Sequence, residues 1–261
     1  MVTLKTKTQS KKYPRISDTS WKTIKYSDIT VFYLHELDGG ALDFGEEAFV
    51  NTVRELYGSV DNLCEFCCGP GFIGFSLLAR GLCKKLSLVD INPDAIACCK
   101  KTITENSLKD RVTIHLSDGL SAVGNLEVWD LVISNPPHFD GTRKMYENDI
   151  IAIDPDWIIH DKFYRDVPRH LSKKGQVLFL ENVTGAPEDM WKRMIEKNGL
   201  KFIKTFWEKQ PTQKYVKRTF NIISLLSWGS IKRFIATCIK QKNTNFLFRR
   251  VYPYYFVQAK K

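Results

Sequence analysis

From Val60 to Gln258 the chain alternates between short apolar, β-branched runs and longer segments of helical periodicity. Strands are expected at Val60–Phe66, Lys85–Asp90, Arg111–Leu116, Val128–Ser134, Gln176–Glu181, Leu200–Trp207 and Tyr254–Gln258. Helices are expected over 45–57, from the glycine-rich turn through Arg80, over Pro93–Asn106, Trp157–Leu171 and Pro187–Asn198. Ile29–Leu34 has strand composition as well and leads to an Asp38-Gly39-Gly40 turn. Strands alternating with helices of this length imply βαβ units and a mainly parallel sheet. Ligands of such sheets bind beyond the carboxyl ends of the strands, so chemistry is expected in the turns that follow them.

The turn after the first of these strands reads Glu65-Phe66-Cys67-Cys68-Gly69-Pro70-Gly71-Phe72-Ile73-Gly74. Its GxGxxG spacing lets the backbone turn tightly and approach a ligand with no Cβ in the way. The free N–H groups of the following helix favour an anionic group. Asp90 ends the next strand, 21 positions after Gly69, where a carboxylate can accept both hydrogen bonds of a ribose diol. The bland alternative is that Asp90 caps the helix that Pro93 begins. Ser117-Asp118-Gly119 follows the third strand, and its acid is placed to reach an adenine amine or simply to face solvent. To this point a nicotinamide dinucleotide and S-adenosylmethionine are served equally well.

The fourth turn separates them. Ser134-Asn135-Pro136-Pro137-His138-Phe139 closes its strand with two prolines, which fix the backbone and cannot extend a ladder. Asn135 is biased away from the helical region by Pro136. Such a corner presents the Asn135 amide oxygen and neighbouring carbonyls as acceptors for the two hydrogens of an NH2 group. His138 and Phe139 add flat faces for a planar acceptor.

On these residues the chain resembles the class I S-adenosylmethionine-dependent methyltransferases with an Asn-Pro-Pro-aromatic motif. Within them it is most similar to the small-domain group, which includes release-factor glutamine methyltransferases and methyltransferases of ribosomal RNA guanine and tRNA adenine. The resemblance covers roughly residues 40–208. It implies an α/β, Rossmann-like seven-stranded sheet with an antiparallel last strand. It also implies transfer of a methyl group from S-adenosylmethionine to a planar amine or amide nitrogen of an RNA base, a protein glutamine or a small heteroaromatic molecule. Glu65, Gly69 and Gly71 would then surround the methionine part of the cofactor, Asp90 the ribose, Ile91 the adenine ring and Asp118 its amine. Asn135 and the Pro136 carbonyl would hold the target nitrogen, with His138 in the stacking position. Phe44 and Gly45 lie where such enzymes fold an N-terminal segment over the cofactor. Two departures stand out: His138 occupies a place usually held by Tyr or Phe, and Cys67 one often held by Gly.

Charge is segregated. The net charge is +10, yet acids outnumber bases in the middle of the chain, and the flanks are basic. Residues 1–25 hold Asp18 as their only acid and read as a flexible basic arm before a methyltransferase domain over 26–261. Residues 209–253 read as a basic helical insertion before the last strand and near the substrate entrance. Phe220, Ile223, Ile231, Phe234 and Ile235 recur in it at helical spacing. A lid for RNA, a membrane-surface helix and an ordinary packed helix all fit that pattern. Positive flanks favour a polyanion such as RNA; a protein acceptor is the other macromolecular partner considered. No apolar run approaches the ~18 residues of a membrane span, and no secretory leader is visible. The seven cysteines suit a reduced, cytoplasmic protein. Cys64 and Cys67 form a CxxC without a second ligand pair, so no metal is expected. His160 and Asp161 are read either as a base pair near the pocket or, in the reading preferred, as ordinary helix-surface residues. A nicotinamide-dependent oxidoreductase and a non-catalytic nucleic-acid-binding protein remain as alternatives on the same scaffold.

Overall fold

A computed structural model of the chain describes residues 20–37, 45–207 and 254–261. An antiparallel hairpin of β1 (Trp21–Tyr26) and β2 (Ile29–Leu34) precedes a sheet of seven strands. These are β3 (Val60–Phe66), β4 (Cys83–Asp90), β5 (Val112–Leu116), β6 (Trp129–Ser134), β7 (Leu171–Asn182), β8 (Lys201–Phe206) and β9 (Tyr254–Lys260). Their spatial order is β5-β4-β3-β6-β7-β9-β8. Pairing from β5 through β7 is parallel, and β9 runs antiparallel to both β7 and β8, as expected for the last strand. The carboxyl ends of β3, β4, β5 and β6 therefore share one edge, with Phe66, Asp90, Leu116 and Ser134 side by side along it.

Helices cover both faces, and a two-sided core follows. On one face α1 (Glu46–Tyr57), α2 (Phe72–Ala79) and α3 (Pro93–Glu105) bury Phe49, Phe72, Phe75 and Leu86 together with Tyr26 of the hairpin. On the other, α5 (Ile158–Asp166) and α6 (Glu188–Lys197) bury Trp129, Phe163, Tyr164 and Trp191. The short α4 (Arg143–Asn148) follows the Asn-Pro-Pro corner. Among the described residues no helix is long and apolar enough to cross a membrane.

The expected arm needs correction at its end. Residues 21–25 are not a free segment but most of β1, paired along its whole length with β2. Lysines on the exposed side hid the strand, although lysine is a normal choice for an exposed edge. Lys101 covers the Trp21 ring at 5.3 Å. The hairpin explains why α2 is apolar all round: it packs on α1 and β4 and is covered in turn by β1 and β2. It also docks on α3. Backbone N–H groups of Thr30 and Phe32 donate to Asn106 Oδ1 and Thr102 Oγ1 at 2.9 and 3.0 Å, and Asn106 Nδ2 donates back to the Thr30 carbonyl at 2.8 Å. Residues 1–19, Phe44 and the insertion at 209–253 lie outside the described residues.

The helix expected over Trp157–Leu171 is shorter. It ends at Asp166 and continues as a 3₁₀ turn over Val167–His170, because Pro168 has no N–H to donate to the preceding turn.

Candidate active site

The glycine loop works through close approach as much as through freedom of φ. Gly71, at φ 81°, is the left-handed residue that opens α2, and a Cβ there would meet the Phe75 ring at 2.8 Å. At Gly74 a Cβ would lie 2.7 Å from Glu65 Oε2 and 2.8 Å from Leu86, so only glycine lets α2 settle on β3 and β4. Cys67 also sits in the left-handed region, at φ 53°, a conformation that costs an L-residue about 1–2 kcal/mol. Its backbone is thus one that suits glycine.

Glu65, at the buried end of β3, accepts the Gly74 N–H at 2.7 Å. Burial pushes its carboxyl up to about 8. Asp90 ends β4, and both its oxygens accept backbone N–H groups, Oδ2 from Gly69 at 2.7 Å and Oδ1 from Asn92 at 2.8 Å. Burial raises its pKa too. The cap of α3 is Asn92, which accepts the Asp94 N–H at 3.0 Å. The alternative role of Asp90 as helix cap is thereby taken by another residue. Asp118 is about half exposed and is gripped by Lys162 Nζ at 3.1 Å from each oxygen.

At the fourth turn, Ser134 Oγ donates to the Phe66 carbonyl at 2.6 Å and ties the corner to β3. Asn135 follows, and its Oδ1 is buried with no hydrogen-bond partner. Its Nδ2 lies 3.7 Å from where a Cβ on Gly45 would be, which places Gly45 against the corner. The corner is braced from behind. Phe139 exchanges backbone hydrogen bonds with the strap at 152–154, from its N–H to the Ala152 carbonyl at 3.0 Å and from the Asp154 N–H to its own carbonyl at 2.8 Å. Gly185 lies so close to the His138 carbonyl that a Cβ would come within 2.0 Å of it.

One cavity of about 400 Å³ brings most of the expected residues together: Glu65, Gly69, Asp90, Ile91, Asp118 and Asn135 all line it. Gly71, Pro136 and His138 do not. Gly71 serves the turn, Pro136 is buried in the corner, and His138 packs edge-on to Tyr254 at 5.2 Å with only 12% of its side chain exposed. Sequence reasoning missed the far wall, to which Arg143 and Tyr146 of α4 contribute together with Ile151, Ile158 and Lys162.

It also misplaced His160, which is fully buried rather than on a helix surface. Its Nδ1 meets Asp154 Oδ2 at 2.6 Å and its Nε2 meets Glu181 Oε1 at 2.9 Å. Burial opposes a charge on the ring, yet the two carboxylates outweigh it and raise His160 to about 9. Asp154 also accepts the Ile159 and His160 N–H groups, so it starts α5. The one local signal was Glu181, a lone acid ending an apolar strand run. Asp161 does lie at the surface side of the helix, paired with Lys197 at 2.5 Å.

Comparison with known proteins agrees with this geometry. The family description "Methyltransferase small domain" matches residues 31–199. A ribosomal RNA small subunit methyltransferase C of Proteus mirabilis is 32% identical over 171 residues, 60% of this chain and 49% of that protein. The corresponding protein of Shewanella denitrificans is 38% identical over 100 residues, 38% of this chain and 27% of that protein. The chain spans about half the length, or less, of the curated relatives it matches. Among solved structures, a T. thermophilus 16S rRNA N2 methyltransferase in complex with AdoMet and guanosine superposes with TM-score 0.53 at 16% identity, covering 71% of this chain and 47% of that one. A mitomycin 7-O-methyltransferase gives TM-score 0.51 at 12% identity over 85% of this chain and 55% of that one. At such identities the structures speak for the fold alone. The match over residues 31–199, set on a seven-strand sheet with a glycine loop and an Asn-Pro-Pro corner, displaces the oxidoreductase reading: the chain belongs to the methyltransferase small-domain family.

Proposed function

We propose that this chain is a cytoplasmic S-adenosylmethionine-dependent N-methyltransferase whose acceptor is a base of RNA. The observation that carries this reading is the Asn135 Oδ1. It is a buried acceptor without a partner, on a residue that lines the cavity also bordered by Glu65 and Asp90. An unsatisfied buried oxygen costs about 1–3 kcal/mol, an outlay that is offset when a donor arrives. The residues present fit the cofactor. Asp90 keeps spare lone pairs for a diol, Ile91 an apolar face for adenine, and Glu65 a buried carboxyl for a cationic group. The cavity volume lies within the usual range of small-molecule sites.

When bound, S-adenosylmethionine supplies an already activated methyl group. What remains for the chain is positioning and dipole alignment. Asn135 Oδ1 accepts a hydrogen of the target amine and aims its lone pair, while Pro136, expected as the second acceptor, does not border the cavity. The same oxygen stabilises positive charge as it develops on nitrogen, with no strong base required. Tyr146, Ile150, Ile151 and Ile158 give a planar acceptor an apolar wall, and Arg143 and Lys162 add positive charge beside it. RNA is favoured over a protein amide by the names of the curated relatives and by the +10 net charge. The arm ending near residue 20 and the basic insertion at 209–253 belong to this reading as the segments that steer the polyanion.

The test is transfer of a tritiated methyl group into cell extract divided into RNA, protein and small-molecule fractions, with Asn135→Ala as control. Label in RNA that vanishes with the variant supports the proposal. Label confined to protein or to small molecules rejects the RNA acceptor, and absence of S-adenosylmethionine binding rejects the reading entirely.

A further inference from the structure

Behind the Asn-Pro-Pro corner runs a row of four titratable side chains: Asp154, His160, Glu181 and His138. The first three are fully buried and hydrogen-bonded in series at 2.6 and 2.9 Å. The fourth link is open. His138 Nδ1 stands 3.7 Å from Glu181 Oε2, beyond hydrogen-bond length, and both atoms are buried with no other hydrogen-bond partner. Neither atom has access to solvent, so each is the available partner of the other. Closing the gap takes less than about 1 Å of ring movement and satisfies two buried polar atoms that are otherwise unpaired.

Glu181 cannot swing away to relieve this. Its Oε1 is held by His160, and His160 is held by Asp154, which also takes two N–H groups at the start of α5. His160 packs against Trp157, Trp191 and Phe179, so the row is walled by rings. The His160 imidazolium outweighs burial and keeps the Glu181 carboxyl below its usual range, so Glu181 is an acceptor only. The His138 backbone is fixed by Gly185 on its carbonyl and by the Phe139 bonds to 152–154, and the freedom that remains is in its ring.

We propose that Glu181 is a positioning residue for His138: its free Oε2 accepts the Nδ1–H of that ring, fixing one tautomer and one ring orientation on the corner that carries Asn135. This rests on the methyltransferase reading of that corner. The ring departs from the Tyr or Phe usual there, and it needs a device that an uncharged aromatic side chain does not. A neutral imidazole has two tautomers, and only the Nδ1–H form leaves its lone pair on Nε2, away from the carboxylate.

The test is long-range proton–nitrogen correlation NMR of the full chain with its histidine rings labelled. It is run as a pH series into the alkaline range, so that the neutral ring is seen. The chain has five histidines, and His138→Asn assigns the signal. The expected wild-type result is protonated Nδ1 and bare Nε2 at His138. In Glu181→Gln the amide oxygen keeps the His160 bond and the NH2 group faces His138, so the tautomer inverts to Nε2–H. In the same variant kcat for methyl transfer falls by up to about 10²-fold while affinity for S-adenosylmethionine stays within error. An Nε2–H tautomer in the wild type, an unchanged tautomer in folded Glu181→Gln, or an unchanged kcat overturns the proposal. Should the variant fail to fold, the wild-type tautomer decides. A wild-type protein that binds no S-adenosylmethionine would sink the methyltransferase reading, while the tautomer would still report on Glu181 and His138.

Discussion

The backbone N–H of Gly74 donates to Oε2 of Glu65 at 2.7 Å, and a Cβ at position 74 would lie 2.7 Å from that same oxygen. One missing side chain thus lets α2 rest on β3 and also seats the acid that borders the cavity. Gly74→Ala is expected to push Glu65 from its place and cost about 1–3 kcal/mol, as overpacking does. Thermal unfolding checks this, and a wild-type melting temperature would contradict it.

On the proposed function, Glu65 is expected to make cofactor binding pH-dependent. Its carboxyl, raised to about 8 by burial, is protonated in the free protein at neutral pH. A cationic cofactor favours the ionised form, so binding releases a proton, and affinity rises with pH until about 8 and then levels. Calorimetry in two buffers of different ionisation enthalpy measures that proton. In Glu65→Gln both the proton release and the slope should disappear; a slope that survives assigns the titration elsewhere.

The buried His160 predicts the pH dependence of stability. It faces Asp154 and Glu181, with His138 beyond, and its folded pKa of about 9 lies above the unfolded value of ~6.5. Its contribution is fully present below the unfolded value and is lost as pH rises through about 9. The loss is on the order of a few kcal/mol. Glu65, also raised, adds a fall of the same sign between its ordinary value and about 8, so the comparison belongs in a Glu65→Gln background. There the melting temperature should still drop between neutral and alkaline pH, and His160→Gln should flatten that drop. A stability that climbs with pH over this window would contradict a protonated His160.

Cys67 tests backbone strain at the loop. At φ 53°, Cys67→Gly should be neutral or slightly stabilising, whereas Cys67→Val, β-branched in a left-handed position, should cost about 1–2 kcal/mol. Chemical denaturation of the two variants ranks them, and equal effects would mean that the conformation carries no strain.

What was legible in the sequence was local. β2 and β3 begin and end where composition placed them, because each is a short run of strand-forming residues bounded by polar or turn residues. The cavity residues Glu65, Gly69, Asp90, Ile91, Asp118 and Asn135 were legible because each stands at or just beyond the carboxyl end of a strand. β1 was not, because its exposed lysines imitate a solvated tail, and its stability comes from β2 and its docking on α3. The Asp154–His160–Glu181 row was illegible for another reason. Its members stand 6 and 21 positions apart on separate elements, and no periodicity announces that the sheet brings them together. Cys67 lies between these cases: its departure from glycine was visible, but the strain it implies needed the backbone.

The central claim is that Asn135 Oδ1 holds the nitrogen that receives the methyl group, and single-turnover transfer by Asn135→Ala tests it most directly. The variant should bind S-adenosylmethionine with wild-type affinity and lose about 10²–10³-fold in transfer rate, the usual loss when one preorganised hydrogen bond to developing charge is removed. Transfer at the wild-type rate, with the variant folded and the cofactor bound, would contradict the account.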